Sequence, residues 1–217
     1  MSVAISLLTA VGIAAFALSG ALMAVRKRMD VVGMFVLAAI TAVGGGLLRD
    51  VLLDVPASAL RTPWWWALIG VATVIVFYFK GAIDRLRRAV LVTDAVGLGI
   101  FCATSTALAL NRGLGPFEAV VIGVIGGVAG GVLRDVLAGE IPSVLRRDTK
   151  VYALPAVFGC LLVVVGYELG ARGDWLAMVA GAAITIVRLL ALWRGWSAPA
   201  PKQDSAALPP EPPIMGR

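Results

Sequence analysis

The sequence contains no histidine, which excludes the side chain that proteins use most often as a metal ligand and as a general base near neutral pH. It has only two cysteines, Cys102 and Cys160, and both fall within long apolar segments, so no structural disulfide is expected. The chain also lacks a recognisable nucleophile–base arrangement and a phosphate-binding loop. These absences argue against an enzyme and against a bound cofactor.

Charged residues are scarce as well. They make up 15% of the 217 residues, whereas 60% of the residues are hydrophobic. A water-soluble domain of this size cannot cover its surface with so few charges. The apolar residues come in runs of about 20, the length that a helix needs to cross a bilayer core. The composition therefore predicts an all-α integral membrane protein.

The apolar runs predict seven transmembrane helices in one membrane domain, residues 1–196. Their predicted bounds are 4–25, 31–53, 64–80, 90–110, 116–138, 151–170 and 175–195. The first run is not a cleaved signal peptide, because basic residues follow it and none precedes it. Residues 197–217 contain six of the 11 prolines and no apolar periodicity, which predicts a disordered cytoplasmic tail.

Lysine and arginine are distributed unevenly between the connections. Of the 19 such residues, 3 fall on one side of the membrane and 13 on the other, with the tail included. Since cytoplasmic connections are enriched in these residues, the N-terminus is predicted outside and the C-terminus inside a cell membrane. The basic clusters 26–28, 85–88 and 146–150 are interpreted as orientation signals or as sites for anionic lipid headgroups. Their separation into short loops argues against nucleic-acid binding.

An eight-residue motif occurs twice. The run GGLLRDVL at 45–52 returns 85 residues later as GGVLRDVL at 130–137. Each repeat unit holds three spans, an odd number, so the second unit must enter the membrane from the opposite side. The motif therefore predicts a 3+3 inverted repeat, with units at about 4–80 and 90–170, followed by a seventh helix at about 175–195.

Glycines precede the charges in both copies of the motif. Gly44, Gly45 and Gly46 lie within span two, and Gly130 and Gly131 within span five. Consecutive glycines weaken a helix by about 1 kcal/mol each and favour a kink or unwinding, which would let freed carbonyls line a watery path. The alternative is close packing of helices through small residues.

The charges of the motif are Arg49, Asp50, Arg134 and Asp135. Neighbours on a helix point about 100° apart, so each arginine is expected to pair with the acid of the other repeat. These groups are either structural ion pairs or pore charges that govern ion entry. Arg134 is expected nearer the cytoplasm and therefore easier to solvate.

Three further polar residues are candidates for lining a path through the spans. Asp94 has Thr9 as its counterpart in the first repeat, and it is either an interfacial helix-start carboxylate or a pore residue. Ser19 and Thr104 are aligned by the repeat in the middle of spans one and four. Such hydroxyls either bond to their own helix or line the pore.

These features resemble the trimeric intracellular cation (TRIC) channel family, and most closely its prokaryotic members, also described as glycine-transporter-domain proteins. The resemblance rests on GGGLLRD in span two, GGVLRD in span five, the three-span duplication and the segment DAVGLGIF at 94–101. It implies a homotrimer in which every subunit has its own pore between the kinked spans two and five. Monovalent cations, chiefly potassium but also sodium, would pass there. The alternative function is a secondary transporter of a small zwitterion such as glycine, with Arg49 or Arg134 holding its carboxylate.

Overall fold

The computed structural model describes residues 3–78, 83–146 and 153–196. Within these ranges the protein is all-helical, with α1 Val3–Arg26, α2 Val31–Leu52, α3 Ser58–Arg61, α4 Pro63–Phe77, α5 Ile83–Asn111, α6 Pro116–Leu137, α7 Ala153–Glu168 and α8 Asp174–Arg194. Five of the described helices, α1, α2, α5, α6 and α8, are long and apolar enough to cross a membrane. The apolar helices α4 and α7 are shorter, with 15 and 16 residues.

Each predicted span overlaps one of these helices, and the single turn α3 was not predicted. The largest shift is at α5, which begins seven residues before the predicted bound of 90. Its first turns therefore carry the basic cluster 85–88, which the sequence had placed in a connection. Lys80, Arg147, Lys150 and the proline-rich tail lie outside the described residues.

Short sequence signals set several helix ends. The carboxylate of Asp30 caps α2 by accepting the backbone N–H of Gly33 at 2.7 Å. Pro63 and Pro116 lie in the first turn of α4 and α6, where an N–H group would have no partner within the helix. Gly195 ends α8 in the left-handed conformation, with φ of 75°.

The helices build two hydrophobic cores, one for each repeat unit. The first is formed mainly by α1, α2 and α4, and the second mainly by α5, α6, α7 and α8. Contacts of α1 with α5 and of α2 with α6 join the two cores. The helix outside the repeat, α8, packs mostly against α5 and α7. The charged motifs at the ends of α2 and α6 therefore lie where the two hydrophobic cores meet.

The contact between α1 and α5 is reciprocal. Gly12 lies against the ring of Phe101, and Gly97 lies against the ring of Phe16. The two rings stack with their centroids 5.3 Å apart. The offset of 85 converts residues 12 and 16 into 97 and 101, and a contact returned residue for residue is what a two-fold axis produces. Phe16 and Phe101 are therefore equivalent under the offset of 85, and their contact is returned residue for residue.

Candidate functional site

The two helices that carry the glycine runs, α2 and α6, cross with their backbones in direct contact. A methyl group on Gly45 would overlap the carbonyl oxygen of Gly126, and one on Gly130 would overlap the carbonyl oxygen of Thr41. Residue numbers rise along α2 as they fall along α6, so the helices are antiparallel. Adding 85 to Thr41 and Gly45 gives Gly126 and Gly130. The offset therefore exchanges the two contacts, as it does for the contacts of α1 with α5.

Close packing, rather than unwinding, is the role that the structure gives to the glycines. Both α2 and α6 are helical from end to end, so the predicted unwinding is wrong. A methyl group on Gly44 would lie 2.7 Å from a side-chain carbon of Leu133, and one on Gly46 would lie 3.5 Å from Phe101. Gly131 is buried. The absence of side chains at these positions lets the two backbones approach, and a bend without unwinding stays a prediction.

A first cluster is formed by Arg49, Asp50 and Ser58, where α2 ends and α3 begins. Arg49 donates through Nε and Nη2 to Oδ1 of Asp50, at 2.8 and 2.6 Å. The other oxygen of Asp50 accepts the backbone N–H and the hydroxyl of Ser58, both at 2.7 Å. Arg49 is 5% exposed and Asp50 is 1% exposed. A buried ion pair of this kind is tolerated because hydrogen bonds satisfy the remaining lone pairs.

A second cluster, formed by Arg134, Asp135, Ser143, Asp94 and Ser19, contains the same arrangement 85 residues later. Arg134 donates to Oδ1 of Asp135 at 2.9 and 2.8 Å, and Oδ2 accepts the N–H and hydroxyl of Ser143 at 2.7 and 2.9 Å. Asp94 and Ser19 are additions to the pattern. Nη1 of Arg134 donates to Oδ1 of Asp94 at 2.7 Å and to Oγ of Ser19 at 2.5 Å.

The clusters lie on opposite sides of the α2–α6 crossing. Arg49 follows Gly45 by four residues and Arg134 follows Gly130 by four, which is about 6 Å along each helix. Since the helices are antiparallel, these displacements point in opposite directions. The crossing therefore separates two buried polar sites within otherwise apolar surroundings.

The predicted pairing of arginines with acids across the repeat is wrong. Each arginine instead pairs with the acid that follows it in its own copy of the motif. The argument from helical angles failed because an arginine side chain is long enough to fold back around the last turn of its helix. Arg134 is 1% exposed and makes a second ion pair with Asp94, so the expectation that it is easily solvated is also wrong.

The other predicted polar residues divide between the second cluster and the helix backbone. Asp94 is 1% exposed and pairs with Arg134, so its interpretation as an interfacial carboxylate is wrong. Ser19 belongs to the second cluster and also donates to the carbonyl of Val90 at 3.2 Å. Thr104 donates to the carbonyl of Ile100 in its own helix at 2.8 Å and is not part of either cluster.

Sequence reasoning missed Ser58, Ser143 and Arg188. The two serines are identical residues at the offset of 85, so the repeat alignment already contained the signal that they correspond. Arg188 lies in the middle of α8 and is fully buried. Its signal was an arginine near the centre of a predicted span, a position where charges are expensive.

Glu140 was also missed, and it joins three basic residues beyond the end of α6. It pairs with Arg26 at 3.3 Å, with Lys27 at 2.9 Å and with Arg146. Burial alone would raise the pKa of Glu140, but hydrogen bonds from Lys27 and Arg146 and the charge of Arg26 together lower it from 4.5 to about 2. Through its ion pairs, the ionised carboxylate of Glu140 therefore links the end of α1 to the connection that follows α6.

Among the described residues, no group of three or more His, Cys, Asp or Glu side chains could hold a metal ion. The polar chemistry available along the α2–α6 crossing consists of arginines, carboxylates and hydroxyls.

Comparison with known proteins shows which proteins the whole chain resembles. The family model described as "Glycine transporter" matches residues 6–80 and 91–168, which coincide with the two repeat units. The chain is 39% identical over 185 residues to the UPF0126 inner membrane protein YadS of Escherichia coli K12. That alignment covers 84% of this chain and 88% of the relative.

Solved structures share the fold over nearly their full length. A prokaryotic TRIC channel crystallised in 0.5 M KCl superposes with a TM-score of 0.83 at 32% identity, covering 89% of this chain and 98% of that one. The orthologue of the TRIC trimeric intracellular cation channel from Rhodobacter sphaeroides gives a TM-score of 0.81 at 36% identity. It covers 89% of this chain and 100% of its own.

Proposed function

The chain belongs to the glycine transporter family as a prokaryotic TRIC member, a multi-pass membrane protein, and on that premise we propose that it is a cation channel. It conducts monovalent cations, with a preference for potassium. Each subunit has its own pore, which follows the crossing of α2 and α6. The observation that carries this proposal is the presence of two buried polar clusters on opposite sides of that crossing.

The antiparallel, reciprocal contacts of α2 with α6 support a 3+3 inverted repeat of six spans, followed by α8 as the seventh. Such repeats place ion sites near the middle of the membrane, where the two halves meet. The glycines bring the backbones of α2 and α6 into contact, Gly45 with Gly126 and Gly130 with Thr41. We infer that conduction requires α2 and α6 to move apart at these contacts.

The bonding of the arginines favours a channel over a transporter of a zwitterion. All three side-chain nitrogens of Arg134 donate to groups of the protein, namely Asp135, Asp94 and Ser19. Two nitrogens of Arg49 donate to Asp50. A substrate carboxylate would have to displace these buried partners, and a cation would not.

The remaining features of the proposal concern assembly and placement. The TRIC channels that this chain resembles are named for their trimers, so we propose a homotrimer in the cell membrane. The N-terminus is outside and the C-terminus cytoplasmic, in line with the excess of basic residues on one side. The basic residues outside the Glu140 contacts, including the cluster 85–88, face anionic lipid headgroups.

Planar bilayers containing the purified protein test the channel directly. With a KCl gradient, the reversal potential should lie near the potassium equilibrium value, and replacing potassium with N-methyl-D-glucamine should abolish the inward current. Gly70→Ala is the matched control, because nothing lies within 4 Å of an added methyl group at that position. Its currents should equal those of the wild type.

Proteoliposomes distinguish the zwitterion transporter. Saturable uptake of labelled glycine in the absence of single-channel currents would replace the channel proposal. A reversal potential at the chloride value would also overturn it. If chemical cross-linking captures no trimer, the proposed homotrimer is wrong. The proposed pore would be unaffected, because each subunit contains both clusters.

A further inference from the structure

A serine in the outer half of α5 has a buried hydroxyl without a partner in the described part of the chain. Ser105 is 0% exposed, and its Oγ makes no hydrogen bond to any described residue. The residues on either side, Thr104 and Thr106, each donate to a carbonyl of their own helix at 2.8 Å. A helical serine ordinarily bonds in the same way, because a buried hydroxyl without a partner is costly. Ser105 therefore departs from the pattern of its neighbours.

The hydroxyl of Ser105 faces the crossing of α2 and α6. A methyl group on Gly126 would lie 2.4 Å from Oγ of Ser105 and 3.6 Å from Cβ of Arg49. The carbonyl oxygen of the same Gly126 is the atom that Gly45 meets at the crossing. The charged end of Arg49 donates through Nε and Nη2 to Asp50, so the part of Arg49 nearest to Gly126 is its apolar stem. The hydroxyl therefore lies between the crossing and the first cluster, beside uncharged atoms.

The first repeat has a hydroxyl at the equivalent point, supplied by the other helix. Subtracting 85 from Ser105 and Gly126 gives Gly20 and Thr41, and a methyl group on Gly20 would lie 2.7 Å from Oγ1 of Thr41. Oγ1 of Thr41 donates to the carbonyl of Leu37 at 2.6 Å. Each half of the protein therefore has one hydroxyl beside the crossing. Of these two, the hydroxyl of Ser105 is the one that makes no bond within the described residues.

A neutral oxygen in this position has a use in a cation path. Potassium pathways replace the water around a permeating ion with neutral protein oxygens, and a hydroxyl oxygen has two lone pairs to offer. We propose that Ser105 is a specificity-determining residue, whose Oγ becomes a ligand of a partly dehydrated monovalent cation when α2 and α6 move apart. This inference rests on the proposed function, because it assigns one oxygen of the path to a point between the crossing and the first cluster.

Bilayer recordings of Ser105→Ala test the oxygen. The substitution removes Oγ and breaks no hydrogen bond among the described residues, so the unfolding midpoint should equal or exceed that of the wild type. We expect the ratio of potassium to sodium permeability, measured from the reversal potential with the two salts on opposite sides, to fall by about threefold or more. Thr73→Val is the control, because it removes a buried hydroxyl on α4 that donates to the carbonyl of Ile69 at 2.9 Å. Its permeability ratio should equal that of the wild type.

Silver ions test whether the ion path reaches this point. Ser105→Cys replaces the oxygen with sulfur at nearly the same position, and soft thiolate ligands bind soft monovalent metal ions tightly. Ag+ that enters the path should displace the thiol proton, remain bound to the sulfur and block the current of Ser105→Cys. In the wild type, Cys102 and Cys160 are both buried, and silver should leave the current unchanged.

Two results would overturn the role of Ser105. One is a wild-type permeability ratio in folded Ser105→Ala, whatever its unfolding midpoint, which would make the serine a packing residue. The other is equal sensitivity of Ser105→Cys and the wild type to silver, and it applies even if Ser105→Ala does not fold. Either result in a conducting protein would refute the role of Ser105 and keep the channel, whereas absence of current in the wild type would refute the proposed function itself.

Discussion

The two clusters contain the same Arg–Asp–Ser arrangement and differ in the residues that more distant helices add to it. In both, an arginine folds back onto the next residue, and a serine eight residues further on bonds to the second oxygen of that acid. Among the described residues, the second cluster also receives partners from helices distant in the sequence, because Asp94 on α5 and Ser19 on α1 reach Arg134. The comparison shows that a local motif sets its own internal bonds, whereas neighbouring helices decide its net charge.

Removal of the arginines should give the largest contrast. Arg134→Ala removes the arginine that pairs with both Asp94 and Asp135, and the loss of one partner from a buried pair destabilises by about 3–5 kcal/mol. Arg49→Ala leaves only Asp50, whose other oxygen still accepts two bonds from Ser58. We expect Arg134→Ala to unfold at the lower temperature or to aggregate. Thermal midpoints and size-exclusion profiles of the two variants measure this, and equal midpoints would contradict the inequality of the clusters.

Alanine at the crossing should destabilise both repeats alike. In Gly45→Ala and in Gly130→Ala, the new methyl group meets a backbone carbonyl that cannot rotate away, and overpacking of this kind costs about 1–3 kcal/mol. Gly70→Ala, which meets open space, should keep or slightly raise stability, because alanine favours helices. Midpoints of the three variants provide the measurement. A large difference between the first two would mean that the crossing is not two-fold.

The smallest expected effect concerns the pH dependence of Glu140, which has apolar Val55 as its counterpart in the first repeat. Because the folded-state pKa of Glu140 is about 2 and its ordinary value is 4.5, its contribution to stability is complete above about pH 4.5. The contribution is lost as the pH falls toward 2. The midpoint of the wild type should therefore exceed that of Glu140→Gln at pH 6 and approach it near pH 3.

Val55→Ala, on the opposite side of the protein, serves as the control for this titration. Its difference from the wild type should not change with pH over the same range. If the difference between the wild type and Glu140→Gln is equally constant, then the ion pairs with Arg26, Lys27 and Arg146 do not stabilise the fold.

The two repeat units share backbone conformations even at positions where their residues differ. Arg28 and Asp54 have positive φ angles of 57° and 49°, and their counterparts Gly113 and Gly139 have 82° and 66°. An L-residue in this region costs about 1–2 kcal/mol, and glycine avoids that cost. The turns after α1 and α2 therefore have the same left-handed conformation as the turns after α5 and α6, although the first repeat has no glycine at these positions.

Much of the architecture was predictable because it depends on local composition. Hydrocarbon-length apolar runs predicted the long helices, and the offset of 85 predicted which residues occupy equivalent positions. Ser58 and Ser143 were available from the same offset, since identical residues at equivalent positions near the motif indicate a shared role. These inferences need only chain length, hydropathy and self-similarity.

Other features could not be predicted from a single position and its neighbours. Helical angles predicted that Arg49 and Asp50 would point apart, but they do not include the reach of an arginine around the end of its helix. The glycines predicted a weak helix, and whether a weak helix unwinds depends on what packs against it. Here the facing backbones of α2 and α6 support each other, so the helices remain continuous.

The sequence by itself determined that the chain is a duplicated helical membrane protein with an Arg–Asp motif in each half, because hydrophobic length and repetition are properties of the order of residues. The tertiary structure decided which acids neutralise which arginines. It also decided that Asp94, a residue without a charged counterpart in the first repeat, lies beside Arg134 rather than at the membrane surface. The partners that Arg134 gains outside its own motif depend on distances of a few ångströms between residues 40 and 115 apart in the chain, and no local pattern specifies those distances.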